Sequence, residues 1–239
     1  MAEGFTASLA KRLRTDPPGR KGERTRERLK LATAQVLEKV GFHAMRVSDV
    51  TDAAGSSEGT FYIYFRDKRD ATRTVLQEFL GGMQELADAQ PSSGASAFEM
   101  IRHTNLRWIR LVRANAGLMR CAFQLGDEDS EFGRLVHSYN RLWYERIAKS
   151  VVRHHPKGAL SMNAALFAAY SLGAMMDDLM RRIIVYPDAD FVSFLKTAAP
   201  TDEAIADVLS VIWLRILYPA ELPPKDVAEV AAQLAALAD

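Results

Sequence analysis

The stretch Val47-Ser-Asp-Val-Thr-Asp-Ala-Ala-Gly55-Ser-Ser-Glu-Gly-Thr-Phe-Tyr-Ile-Tyr-Phe-Arg-Asp-Lys68 constrains the fold more tightly than any other part of the chain. Val47, Val50 and Ala54 share one helix face at i, i+3 and i+7, and Gly55 stands where a chain leaving a helix needs a positive φ that glycine adopts cheaply. The glycine therefore ends one short helix and aims the next. Ser57 supplies a hydroxyl N-cap and Glu58 an acid in the first turn, which together satisfy orphan amides at the start of a second helix. Phe61 and Phe65, four apart, pack inward, and Tyr62 then points away with its hydroxyl free. Two short helices hinged this way read as a helix-turn-helix. In such units the first residues of the second helix reach base edges, while hydroxyls and cations grip the phosphates. Glu58, Gly59 and Thr60 occupy those first positions. A lone glycine between helices is an ordinary turn and a Tyr-x-Tyr-Phe run is ordinary core, so the combined spacing carries the inference.

With these residues in place, Thr25 to Val75 resembles the N-terminal domain of TetR-type bacterial transcriptional regulators. Four spaced elements agree: Gly41-Phe42 closing a first helix from about Thr25 to Val40, Ala54-Gly55, Gly59-Thr60-Phe61-Tyr62, and Tyr64-Phe65 with Lys68. The resemblance covers about the first third of the chain. It implies an all-α homodimer whose divergent C-terminal domain binds a small molecule and sets the affinity for DNA. It also implies Thr60, Tyr62 and Lys68 on phosphate, and Glu58, Gly59, Ile63 and Tyr64 near bases or backbone. The chain departs from the family pattern at Met45, where Thr or Ser usually caps the second helix, and Arg46 beside it becomes a candidate phosphate contact. Ser48 and Ser57 complete the candidate DNA-binding set. Val50-Thr51 replaces the common Ile-Ala step and Ser56 replaces an apolar residue, which takes apolar area from a small core.

Charge supports this assignment by its distribution. The chain of 239 residues carries a net charge of only +1, too little for a global-charge argument. Residues 1–80, however, hold 15 basic and 11 acidic side chains, net +4, and the remainder is net −3. The basic residues concentrate between Lys11 and Lys30, so residues 1–23 are expected to form a flexible basic arm able to track phosphate. A single cysteine, Cys121, precludes an intramolecular disulfide. No apolar run approaches the roughly 20 residues of a membrane-spanning helix, and no signal peptide is evident. The simplest address is the bacterial cytoplasm, at the nucleoid when DNA is bound.

The rest of the chain reads as helix, with no alternating run that suggests a strand. Helices are expected at about Lys68–Gln90, Ala95–Arg113, Ala116–Leu125, Ser130–His154, Ser161–Tyr186, Thr201–Tyr218 and Lys225–Leu237. Their stops lie in Pro91-Ser-Ser-Gly94, Gly126-Asp127, His155-Pro156-Lys-Gly158, Pro187-Asp188, Pro200-Thr-Asp and Pro219 to Pro224. The expected class is all-α with about nine to ten helices. A three-helix DNA-binding head at 24–70 is followed by an effector-binding and dimerisation domain at 71–239.

The helices near 161–186 and 201–218 carry more apolar surface than one stripe hides, so each needs partners on most sides. Part of that surface is core, and the family resemblance implies an isologous four-helix dimer interface for the outer face. Candidate ligand contacts are Trp108, Leu111, Met119, Phe123, Tyr139, Trp143, Phe167, Tyr170, Met175, Met176 and Asp177, although aromatics at helical spacing are more often core. Asp177 and Asp178 in an apolar helix need partners; pairing with Arg181 or Arg182 competes with ligand recognition. No metal-ligand cluster, phosphate-binding glycine loop or nucleophile motif stands out, so no cofactor, metal or catalytic residue is assigned. The leading expectation is a dimeric repressor released from a palindromic DNA operator by a small hydrophobic or aromatic effector. The alternative is a DNA-bound helical scaffold that recruits a protein partner.

Overall fold

The computed structural model describes residues 4–87 and 94–237, and every regular element among them is helical. In chain order these are α1 (Phe5–Thr15), α2 (Lys21–Ala44), α3 (Val47–Ala54), α4 (Glu58–Tyr64), α5 (Lys68–Ala87), α6 (Ala97–Ala114), α7 (Ala116–Glu128), α8 (Ser130–His154), α9 (Met162–Met180), α10 (Ala189–Ala198), α11 (Asp202–Leu217) and α12 (Glu229–Ala236). A π-helical turn, Arg181–Val185, continues α9. The chain separates into two compact units: Met1–Met83 with Arg113–Val136, and Gln84–Val112 with His137–Asp239. Arg113–Val136, which the sequence leaves in the body, thus belongs to the unit that holds the head. Of the expected loop Pro91–Gly94, only Gly94 lies among the described residues.

The first unit is built around α2, which packs against α1, α3 and α7. Leu29, Ala34 and Leu37 on α2 are fully buried, and Leu118, Cys121 and Leu125 on α7 are equally inaccessible. Gly117 permits the close approach of α7, because a Cβ there would stand 2.6 Å from the backbone of Glu38. Burial pushes the Cys121 thiol up to about 11, so it behaves as a small apolar residue.

Two expectations within this unit are corrected. Residues 1–23 contain no free basic arm over their described length, because Phe5–Thr15 is a docked helix. Leu9 is buried, Phe5 meets Phe79 edge-on at 5.5 Å, and the Phe5 amide donates to Asn115 Oδ1 at 2.7 Å. Arg12 is drawn inward as well, onto Glu78 at 2.5 Å and Glu27 at 3.4 Å, while Lys30 bonds the same two carboxylates. Burial raises the Glu78 carboxyl, but the two cations outweigh it and hold the group below its ordinary value. The second correction concerns Gly126-Asp127, which does not stop α7; that helix runs to Glu128. Asp129 makes the reversal, its Oδ1 accepting from the Glu131 and Phe132 amides at 3.1 Å each. Gly133 stands so close that a Cβ would lie 2.7 Å from the Gly126 carbonyl oxygen.

In the second unit α9 packs on α11, and α11 packs on α12. Asn105 donates to Ser210 at 3.0 Å inside this core, Arg102 pairs with Asp207, and the other Asp207 oxygen accepts from the Ala228 amide at 3.0 Å. α8 spans Ser130–His154, as its sequence signals indicate. The expected helix Ser161–Tyr186 is α-helical only to Met180 and then widens into the π turn. α10 follows where the sequence leaves a loop. Asp188 beside Pro187 is its N-cap, accepting from the Asp190 and Phe191 amides, so this stop signal is also a start signal.

Candidate nucleic-acid interface

The interface is assembled from the end of α2 to the start of α5. α2 is interrupted at Gly41, whose φ of 78° turns the chain before Phe42 enters the core. Phe42, Met45, Val50, Phe61 and Phe65 are all buried and form the apolar centre of the head. Met45 therefore replaces a capping hydroxyl with packing. It precedes the Arg46 N-cap, and Val50 stands at the fourth helical position, the two sites of a hydrophobic staple. Asp49 reaches back from the first turn and accepts from the Arg46 amide at 2.9 Å, which satisfies the N-cap amide. Thr51 is buried and its hydroxyl donates to the Ser48 carbonyl at 3.0 Å, so the polar atom at this apolar position is satisfied.

Gly55 adopts φ 58° and ψ 49°, the left-handed conformation its position requires. The Ser56 amide donates to Thr51 O and the Gly55 amide to Asp52 O, a Schellman closure of α3. Arg28 from α2 adds a cation at that terminus, donating to Ala54 O at 2.7 Å. Ser57 Oγ then accepts from the Thr60 amide at 3.2 Å and lies 3.0 Å from the Thr60 hydroxyl. The turn thus sets the angle between α3 and α4 through backbone conformation and caps at both ends.

Most of the candidate contacts face solvent on this frame. Arg46, Ser57, Glu58 and Gly59 are exposed, Tyr62 is 53% and Ile63 76% exposed, and Ser48, Thr60 and Tyr64 are half-buried. The buried Phe61 and Phe65 anchor α4, which leaves its amino end and the Tyr62-Ile63 edge outward. An exposed isoleucine on a seven-residue helix has no packing role within the chain. Tyr64 turns back towards α2, its hydroxyl 3.3 Å from where a Cβ at Gly22 would stand.

Lys68 is placed differently from the free phosphate lysine that the resemblance implies. Its ammonium donates to the carbonyls of Phe42 at 3.2 Å, His43 at 3.2 Å and Met45 at 2.9 Å, and lies 5.1 Å from the Phe42 ring centroid. All three donors of the ammonium are engaged in closing the end of α2. Arg28 and Lys68 thus cap successive helix ends, and Arg28 is a contributor that the sequence hid within a run of similar cations. Farther along α5, Arg69 and Arg73 converge on Asp129, and Arg73 also bonds Glu131 at 3.1 Å. Arg73, the Phe132 amide and Arg69 hold the Asp129 carboxyl down at about 2.

The candidate ligand contacts do not fall in one body. Met119 and Phe123 belong to the first unit, the other nine to the second. Met119 and Met176 are buried, and Trp108, Leu111, Phe123, Tyr139, Trp143, Met175 and Asp177 are half-buried. Phe167 is 77% and Tyr170 41% exposed, so the expected inward placement of Phe167 is corrected to an outward one. Tyr144, absent from the candidate set, is buried with its ring 4.6 Å from that of Tyr170. Among the described residues, no group of three potential metal ligands comes together, and no helix is long and apolar enough to cross a membrane.

Comparison with known proteins agrees with this geometry. Residues 31–70 match the family model described as bacterial regulatory proteins, tetR family. The fatty acid metabolism regulator protein of Bacillus subtilis is 30% identical over 70 residues, which are 29% of this chain and 36% of that protein. The chain thus matches about a third of the length of that relative. The structure of the fatty acid degradation regulator FadR from Bacillus halodurans superimposes with a TM-score of 0.58 at 18% identity, covering 80% of this chain and 94% of that one. FadR from Bacillus subtilis in complex with stearoyl-CoA gives 0.55 at 16% identity, covering 80% and 97%. The match to the tetR family of bacterial regulatory proteins thus falls on the helix-turn-helix domain of this chain.

Proposed function

We propose that the protein is a dimeric, ligand-responsive transcriptional regulator that represses by occupying a palindromic DNA operator. The observation that carries this reading is the exposed amino end of α4, held outward by two buried phenylalanines and preceded by a capped turn. Glu58, Gly59 and the exposed Ile63 reach base edges and sugar, while Arg46, Ser48, Ser57, Thr60 and Tyr62 grip phosphate. Tyr64 lies beside them. Lys68 contributes by holding the α2 end in register, and reaches phosphate only if it gives up a carbonyl.

Homodimerisation through the helices near 161–186 and 201–218 would hide Phe167 and Ile216, which are 77% and 54% exposed in the single chain. It would also set two heads about 34–36 Å apart, or a multiple, to match successive major-groove faces. A hydrophobic or aromatic effector in the second unit would favour a dimer whose head spacing no longer fits. The stearoyl-CoA bound by the Bacillus subtilis relative supports a small-molecule effector as a class. The cytoplasm is the compartment that this function requires.

Selection of bound fragments from genomic DNA, followed by footprinting, tests the reading. The expected result is a two-fold symmetric protected site, and Tyr62→Ala should weaken binding to it at least tenfold without changing the dimer. Recovery of no sequence-specific fragment, or unchanged binding by Tyr62→Ala, overturns the assignment.

A further inference from the structure

We infer that Asp177, with the paired rings of Tyr144 and Tyr170, forms the polar end of a site for a planar organic cation, such as an aromatic amidinium. The inference rests on the proposed effector-sensing role of the second unit and names the chemistry of what is sensed. Asp177 lies on α9, four residues after Gly173 and three before the buried Met180. No hydrogen bond or ion pair reaches its carboxylate among the described residues. The cations that its own helix offers are committed elsewhere: Arg182 bonds Asp178 at 2.8 Å and lies 3.9 Å from Asp188, and Arg181 stands over the Tyr186 ring at 6.0 Å. Asp177 is half-buried, so its carboxylate is partly desolvated and still open to a ligand that would pair with it.

Local packing supplies a surface for a flat group. Tyr144 from α8 lies against the bare backbone of Gly173, where any Cβ would overlap its ring and hydroxyl, and Tyr170 tilts onto Tyr144 at 4.6 Å. Two tyrosine rings one and two helical turns from a carboxylate suit a delocalised cation, which gains both a charge-assisted hydrogen bond and a cation–π contact. An anionic ligand would meet like charge here, and a purely aliphatic one would leave the carboxylate unpaired. The π turn begins four residues after Asp177 and shifts Arg181–Val185 out of α-helical register; single π turns of this kind recur at functional sites. Burial also pushes the Asp177 carboxyl up to about 6, in keeping with the absence of a compensating cation.

Calorimetric titration of the full-length protein without DNA tests this with three isosteric probes: 2-naphthamidine, 2-naphthamide and 2-naphthoate. The amidinium should bind at least tenfold more tightly than the neutral amide and the carboxylate. Asp177→Asn, or Asp177→Ser should the first variant fail to fold, should remove that preference, whereas Asp178→Asn should keep it. Equal affinity for the three probes, no binding of the amidinium, or an Asp177 variant that retains the preference overturns the inference. Because binding is read without DNA, its failure is separate from failure of the operator assay.

Discussion

At the scale of single residues, several polar groups sit where apolar ones would be simpler, and each has a measurable cost or use. Lys68 crosses to three carbonyls at the end of α2, so its removal strips the partners from a helix terminus. Lys68→Met, which keeps much of the aliphatic stem, should destabilise the protein by about 1.5–3 kcal/mol in thermal or urea unfolding. An unchanged melting temperature would show that the lysine serves phosphate alone. Asp177 presents the opposite case. Burial raises its carboxyl to about 6, above the ordinary 3.8, so the folded state holds a proton that the unfolded state releases. The linkage therefore lowers stability as pH rises from about 4 through 6 and levels off above. Asp177→Asn should melt higher than the wild type at pH 7.5, with the gap shrinking as pH falls towards 4; a gap independent of pH would contradict this ionisation.

At the scale of elements, α1 shows how an amphipathic segment with a basic face is misread as an arm. Its charges are real, but Leu9 and Phe5 bury against the first unit, and Arg12 finishes a cluster with Glu27, Lys30 and Glu78. Leu9→Ala should cost about 2–4 kcal/mol of stability in urea unfolding. Loss of less than about 0.5 kcal/mol would mean that α1 is not held in solution. α10 was hidden for a related reason, since Pro187-Asp188 suits both the end of one helix and the N-cap of the next. The α3–α4 pair was legible in the sequence because a left-handed glycine, a serine cap and phenylalanines four apart each act over a few residues.

At the scale of the whole molecule, regulation as proposed needs two copies, and the surface suited to pairing them is the outer face of α9 and α11. Phe167→Glu should shift the protein from dimer to monomer in sedimentation and weaken operator binding at least tenfold, while leaving the fold of each chain intact. Retention of the dimer would move the interface elsewhere. The sequence by itself determined the helical class, the helix-turn-helix and the outward Tyr62 beside the inward Phe61 and Phe65, because caps, left-handed glycines and 3.6-residue periodicity operate within one or two turns of chain. Only the tertiary structure decided that Lys68 closes α2, that Asp178 and not Asp177 takes Arg182, that Tyr144 rather than Phe167 packs inward, and that α1 docks. Those outcomes depend on which of several similar cations or aromatics lies nearest in space. Such competition is settled by packing between segments as much as 110 residues apart, and periodicity along the chain carries no record of it.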